Sequence, residues 1–192
     1  MTLAIALAVA YLLGAIPTSY IVVYLRTGRD IRSMGSGNPG MMNVWDSVGL
    51  APAMLVGLGD VGKGMAAVTF AYWLGFGDTM AVLCALVAVA GHDYSIFLRL
   101  HGGNGTAAAT GGLISLVPAA ALPAAGVAFA ILIVTRSKRR GGVVGLLLVP
   151  VLAAAQQYPD VKLVGVVLLL TLVAVKIVRF EGFSASRTRP PR

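Results

Sequence analysis

The sequence predicts an all-α fold: a polytopic membrane bundle of seven transmembrane helices, some short or broken, with Gly-rich cytoplasmic loops. Three observations predict it. Of 192 residues, 58% are hydrophobic and only 11% charged, where a soluble domain carries roughly 25% charged residues. So many apolar side chains exceed what a core of this size hides, and the same numbers exclude a disordered chain. Apolar runs near the length of a bilayer span recur along the chain. The basic residues fall between those runs in a lopsided way.

The elements follow in order. Residues 2–25 carry no charge and read as one retained first span, with Arg26 after it rather than a basic region before it. Residues 26–47 are polar and Gly-rich. Residues 48–77 are apolar but interrupted by Gly57, Gly59, Asp60, Gly62, Lys63 and Gly64. Residues 79–98 form a third span ended by Arg99. Residues 106–117 are a short run closed by Pro118, and 118–135 the next span, ended by Arg136. Residues 141–157 and 161–178 complete seven units, of which the second and fourth are short or broken. Fusing 106–135 into one tilted helix gives six instead.

Charge arbitrates. With seven spans, 13 of the 15 basic residues share one side: Arg26, Arg29, Arg32, Arg99, Arg136, Lys138, Arg139, Arg140, Lys176, Arg179, Arg187, Arg189 and Arg192. With six, Arg136 to Arg140 cross to the other side. Positive charge stays in the cytoplasm, so seven spans with the N-terminus outside and the C-terminus inside a cell inner (plasma) membrane is the better reading. The net charge of +8 is then an orientation signal rather than a nucleic-acid face, and no nucleic-acid partner is expected. Residues 1–182 read as one integral-membrane domain and 183–192 as a disordered basic tail. Cys84 lies in an apolar run as a small buried residue. No internal repeat, metal-ligand spacing, catalytic triad or dinucleotide fingerprint is present, so no metal or cofactor is expected.

Chemistry is expected at three clusters on the cytoplasmic side. The first is Gly35-Ser36-Gly37-Asn38-Pro39-Gly40, followed by Asn43. Glycines let backbone N–H groups converge on an anion, and Ser36, Asn38 and Asn43 add donors. The simpler alternative is a surface turn. The second is Asp60 to Gly64. Ionisable residues within a span are costly, and Asp60 and Lys63, three apart, share a helix face. A purely structural ion pair is the alternative. The third is Gly91-His92, then Gly102-Gly103-Asn104-Gly105 leading into a helix near Thr106, whose N-terminus suits phosphate. An imidazole ordinarily titrates near neutrality, so His92 suits a base or a phosphate contact, or a structural hydrogen bond. Scattered glycines such as Gly14, Gly126 and Gly165 read as close-packing positions. Residue chemistry alone points to a substrate with a phosphate head and an apolar tail.

At these clusters the chain resembles the PlsY-type acyl-phosphate:glycerol-3-phosphate acyltransferases of bacteria. That family's GSGNxGxxN matches Gly35 to Asn43, its DxxKG matches Asp60 to Gly64, and its GHxxxxF matches Gly91, His92 and Phe97. Its GGKG matches Gly102, Gly103 and Gly105, and the opening Ala10 to Gly14 is also similar. The resemblance implies transfer of a fatty acyl group from acyl phosphate to glycerol 3-phosphate among membrane lipids, opening phospholipid synthesis. It implies Ser36 and His92 as catalytic residues. Gly35, Gly37, Asn38, Gly40, Asn43, Asp60, Lys63, Gly102, Gly103, Asn104 and Gly105 would bind substrate and phosphate. The same fold with a different acceptor, or a non-catalytic paralogue, are the alternatives. Four departures stand out. Asp46 occupies a family arginine position and Asn104 the lysine of GGKG. Gly142 and Gly145 fall near the third motif's serines, and Phe180 and Phe183 near a family histidine and asparagine. Two lost charged hydrogen bonds to phosphate would cost roughly a hundredfold in affinity. Lys63, Arg99, Arg139 and Arg140 are the candidate replacements.

Overall fold

The structure, a computed structural model, describes residues 2–187, with side-chain surroundings through Arg179. Nine α-helices and no strand are present among the described residues. In order they are α1 (Leu3–Ala15), α2 (Thr18–Thr27), α3 (Met41–Ser47), α4 (Leu50–Trp73), α5 (Asp78–Asp93), α6 (Thr106–Leu116), α7 (Pro118–Thr135), α8 (Lys138–Ala155) and α9 (Asp160–Arg187). Short 3-10 turns at Ile31–Ser33 and Ile96–Leu98 complete the set. Five segments are long and apolar enough to cross a membrane: Leu3–Thr27, Leu50–Trp73, Asp78–Leu98, Pro118–Thr135 and Asp160–Arg179. Side chains such as Leu25, Leu58, Trp73, Phe129 and Val134 are more than half exposed, which suits a lipid solvent. The chain is an integral membrane protein.

Two expected elements differ. The first span breaks at Ile16–Pro17 into α1 and α2. Proline supplies no N–H and disfavours the helical conformation in the residue before it. The second unit is not broken. α4 runs 24 residues through all its glycines and charges, because its polar groups find partners inside the protein. The fourth unit is short: α6 has 11 residues. It ends at Leu116, and Pro118 opens α7, so 106–135 is not one helix. α8 begins in Lys138, Arg139 and Arg140. α9 extends into the segment 183–192 as far as Arg187, and residues 188–192 lie outside the described residues.

α5 is the hub, packed by α1, α4, α6 and α9. The contacts are made by small residues, including Ala6, Ala10, Ala67, Ala71, Ala81, Ala85, Ala88, Ala108 and Ala109, all buried. A β-carbon on Gly14 would strike the main chain of Ala88, and one on Gly91 the main chain of Tyr11, so α1 and α5 meet backbone to backbone. Gly64 against Ala108 and Gly111 against Val61 do the same for α4 and α6. Gly165 abuts Val82, whereas Gly126 has open space beside it and is not a packing position. α7 and α8 pack mainly on one another at the periphery. This frame brings the α1–α2 break, the loop before α3, the polar turn of α4 and the loop between α5 and α6 to one end.

A polar recess where three sequence clusters meet

Breaking the first span releases main-chain groups for other partners. Ile16 O accepts a hydrogen bond from Lys63 Nζ at 3.0 Å. Lys63 Nζ also pairs with Asp60 Oδ1 at 2.8 Å, both side chains being buried. Thr18, the first residue of α2, donates its hydroxyl to the same Asp60 oxygen at 2.7 Å. His92 Nδ1 stands 3.7 Å from it, beyond hydrogen-bond reach. One carboxylate oxygen therefore gathers groups from α2, α4 and α5. The interior ion pair has the further hydrogen bonds that make such pairs tolerable.

The loop before α3 is built by Asn43. Its Oδ1 accepts from Ser36 N at 3.0 Å and from Ser47 Oγ at 3.2 Å. Its Nδ2 donates to Ile31 O and Met34 O at 3.3 and 3.0 Å. Asn43 is thus a scaffold for the loop rather than part of its lining. Gly35 and Gly37 take positive φ values of 50° and 76° in this turn. Ser36 stands exposed at its tip. Asn38 turns inward, with Oδ1 buried. Pro39 O accepts from the buried Ser19 hydroxyl at 2.8 Å, tying the loop to α2. Arg32 grips Asp30 and reaches Leu98 O at 3.0 Å. Its guanidinium holds the Asp30 carboxyl below the usual carboxylate range.

The loop between α5 and α6 folds back on the end of α5. Gly102 N donates to Asp93 O and Gly103 N to His92 O, each at 3.2 Å. A β-carbon on Gly103 would strike His92 Nε2, so glycine here lets the imidazole lie against the loop. Gly105, at φ +70°, caps α6. Ser95 fixes the turn by donating to Ala15 O at 2.6 Å.

The result is a small recess lined by residues 15–19, Pro39, Asp60, Lys63, His92, Ser95, Leu98 and Gly103. All three clusters contribute. Gly35, Ser36, Gly37, Asn38, Gly40, Gly102, Asn104 and Gly105 do not line it but belong to the loop before α3 and the loop between α5 and α6, and Asn43 belongs to α3. Four buried side-chain atoms lack a partner among the described residues: Asn38 Oδ1, His92 Nδ1, Asp93 Oδ1 and Asn104 Oδ1. All four belong to these loops or the end of α5 beside them. Asp46 points elsewhere, exposed and paired with Lys138, which also lies over the Trp45 ring. Of the four candidate replacement cations, only Lys63 lines the recess. Thr18, Ser19, Ser95 and Asp93 were not legible in the sequence, because they belong to no recognised spacing pattern. Pro17 inside an apolar run was the available signal for the break.

The bundle and recess define an integral membrane protein with a polar pocket at one end of its helices. The chain belongs to the glycerol-3-phosphate acyltransferase family, whose sequence profile matches residues 4–182. A relative from Thermus thermophilus, "Glycerol-3-phosphate acyltransferase", is 41% identical over 168 residues, covering 87% of this chain and 83% of that protein. "Glycerol-3-phosphate acyltransferase 2" from Dehalococcoides mccartyi is 46% identical over 114 residues, covering 59% of this chain. That match spans little more than half, 54%, of the Dehalococcoides protein's length. The crystal structure of PlsY (YgiH), an integral membrane glycerol 3-phosphate acyltransferase, in its glycerol 3-phosphate form, superposes with a TM-score of 0.86. It is 25% identical, over 100% of this chain and 96% of that one.

Proposed function

We propose that the chain is a membrane acyltransferase that moves a fatty acyl group from acyl phosphate to glycerol 3-phosphate, giving lysophosphatidic acid and inorganic phosphate. The observation that carries this reading is the set of four unpartnered buried polar atoms, all at the recess and its loops. Native interiors satisfy nearly all such atoms, so a cluster of exceptions is what a ligand would complete. Three of the four are acceptor oxygens, to which the hydroxyls of glycerol 3-phosphate would donate, while its phosphate fits the glycine loops and Lys63. Relatives named as glycerol-3-phosphate acyltransferases support the acceptor, and a non-catalytic paralogue is not favoured.

In the reaction, a hydroxyl oxygen of glycerol 3-phosphate attacks the acyl carbonyl carbon. The new C–O ester bond forms as the bond from that carbon to the bridging phosphate oxygen breaks. The hydroxyl proton passes to the departing phosphate, directly or through His92, so no protein nucleophile is required. Lys63, Asn38 and the loop N–H groups stabilise the charge that develops on the oxygens. Ser36, at the tip of its loop, contacts a substrate phosphate. Asn43 holds that loop in place. Asp60 keeps Lys63 and His92 oriented, and Asn104 works with Gly102, Gly103 and Gly105 at the second loop.

The bundle crosses a cell membrane seven times, with α1 and α2 counted together and α6 and α8 as the fourth and sixth spans. Its N-terminus is outside, and the recess opens to the cytoplasm. Residues 1–182 form one unit. A panel of donors (acyl phosphate, acyl thioesters) and acceptors (glycerol 3-phosphate, glycerol, amino alcohols) with the purified protein tests this. Acyl phosphate with glycerol 3-phosphate should give the highest kcat/KM. A preference for an uncharged or cationic acceptor overturns it.

A further inference from the structure

The link between α3 and the α7–α8 hairpin has no part in the reaction above. Lys138, the first residue of α8, pairs with Asp46 in the last turn of α3. Its ammonium also lies 4.2 Å from the centroid of the Trp45 ring. Among the described residues, this is the one hydrogen bond or ion pair that joins the Arg136 end of the hairpin to the rest of the bundle. Elsewhere α7 and α8 pack mainly on one another.

Each charge of the pair stands at the helix end that disfavours it. The first turn of an α-helix suits an anion and the last turn a cation. α8 opens on Lys138, Arg139 and Arg140, with no acidic residue in its first turn. α3 carries Asp46 near its end, with no basic residue in its last turn. Neither charge serves its own helix, so both serve the contact between the two. An exposed ion pair alone contributes little, but the Trp45 ring adds a cation–π contact and leaves Lys138 less than a third exposed.

α3 leads from that contact to the first glycine loop. Its buried Val44 packs with Val23, Ile31, Ala53 and Val56, and Trp45 lies partly buried against the same group. Ser47, next to Asp46, donates to Asn43 Oδ1, which also accepts from Ser36 N. The core holds one face of this seven-residue helix, and Lys138 holds another. We propose that Lys138 is a positioning residue: through Asp46 and Trp45 it straps α3 to the hairpin and so sets the Ser36 loop for its substrate phosphate. The task given to that loop rests on the acyltransferase reading; the strap itself does not.

Charge reversal in the purified full chain tests it. Lys138→Asp and Asp46→Lys each bring like charges together. Each should raise KM for glycerol 3-phosphate about fivefold or more, with a smaller change in kcat. Each should also speed amide hydrogen exchange over residues 34–47. Lys138→Arg should stay close to wild type. The swapped pair, Lys138→Asp with Asp46→Lys, should bring both readouts back to within about twofold of wild type. Loss of helix stability cannot produce this pattern, because both single changes improve the match of charge to helix end. Single variants that leave KM and hydrogen exchange unmoved, or a swapped pair no better than the worse single variant in either readout, overturn the proposal. The expected hydrogen-exchange pattern in a protein that shows no turnover keeps the strap and removes the acyltransferase reading. Turnover with KM and hydrogen exchange unmoved does the reverse.

Discussion

Asn43 makes four hydrogen bonds from one buried amide, two as acceptor and two as donor. Asn43→Ala leaves Ser36 N and two carbonyls without their partner. It should lower stability by about 1–3 kcal/mol and raise KM for a phosphate substrate, read by thermal unfolding and by kinetics. Lys63 carries a different burden. Lys63→Met strands the buried Asp60 carboxylate, a change of about 3–5 kcal/mol. Lys63→Met with Asp60→Leu should recover part of that stability in unfolding experiments while activity stays lost. Residue types were legible in the sequence, since Asn43, Asp60, Lys63 and His92 all stand at the site end of the bundle. Side-chain direction was not. Nothing in the run from Gly35 to Asn43 says that Asn43 faces inward to hold the loop while Ser36 faces out. Thr18, Ser19 and Ser95 became meaningful only when α1, α2 and α5 converged.

At the level of the helix, backbone contact decides what is tolerated. A β-carbon on Gly111 would overlap the main chain of Val61, while one on Gly126 meets nothing within 4 Å. Gly111→Ala should therefore separate α4 from α6, with a cost of about 1–3 kcal/mol or more. Gly126→Ala in α7 should be neutral or stabilising by about 0.5–1 kcal/mol. Thermal unfolding of the two variants side by side checks this. Both glycines look alike in the sequence, because the pattern of small residues does not say which face of α7 has a neighbour. The break at Pro17 was legible as a proline, yet its use was not. The freed Ile16 carbonyl binds Lys63 from α4, 47 residues away in the chain. The opposite error arose in α4, where glycines and charges pointed to an interruption. Internal partners for Asp60 and Lys63 let the helix continue through them.

For the molecule as a whole, hydropathy and the distribution of charge fixed the class, and the order of the glycine clusters fixed the family. Thirteen of the 15 basic residues fall on one side of the proposed topology. In a Cys84→Ala background, Gln157→Cys should react with an impermeant maleimide from outside intact cells. Ser137→Cys should react only after permeabilisation. The reverse pattern would invert the topology and place the recess on the wrong side for a cytoplasmic substrate. The central claim is that the recess at this end transfers an acyl group between two phosphate-bearing molecules. The most direct measurement is the joint yield of lysophosphatidic acid and inorganic phosphate from acyl phosphate and labelled glycerol 3-phosphate, with purified folded protein. The two products should appear together in equal amounts and fall sharply in a Gly103→Ala variant, whose new methyl displaces His92, but not in Cys84→Ala. Phosphate released without lysophosphatidic acid, or no product above a protein-free blank, would contradict it.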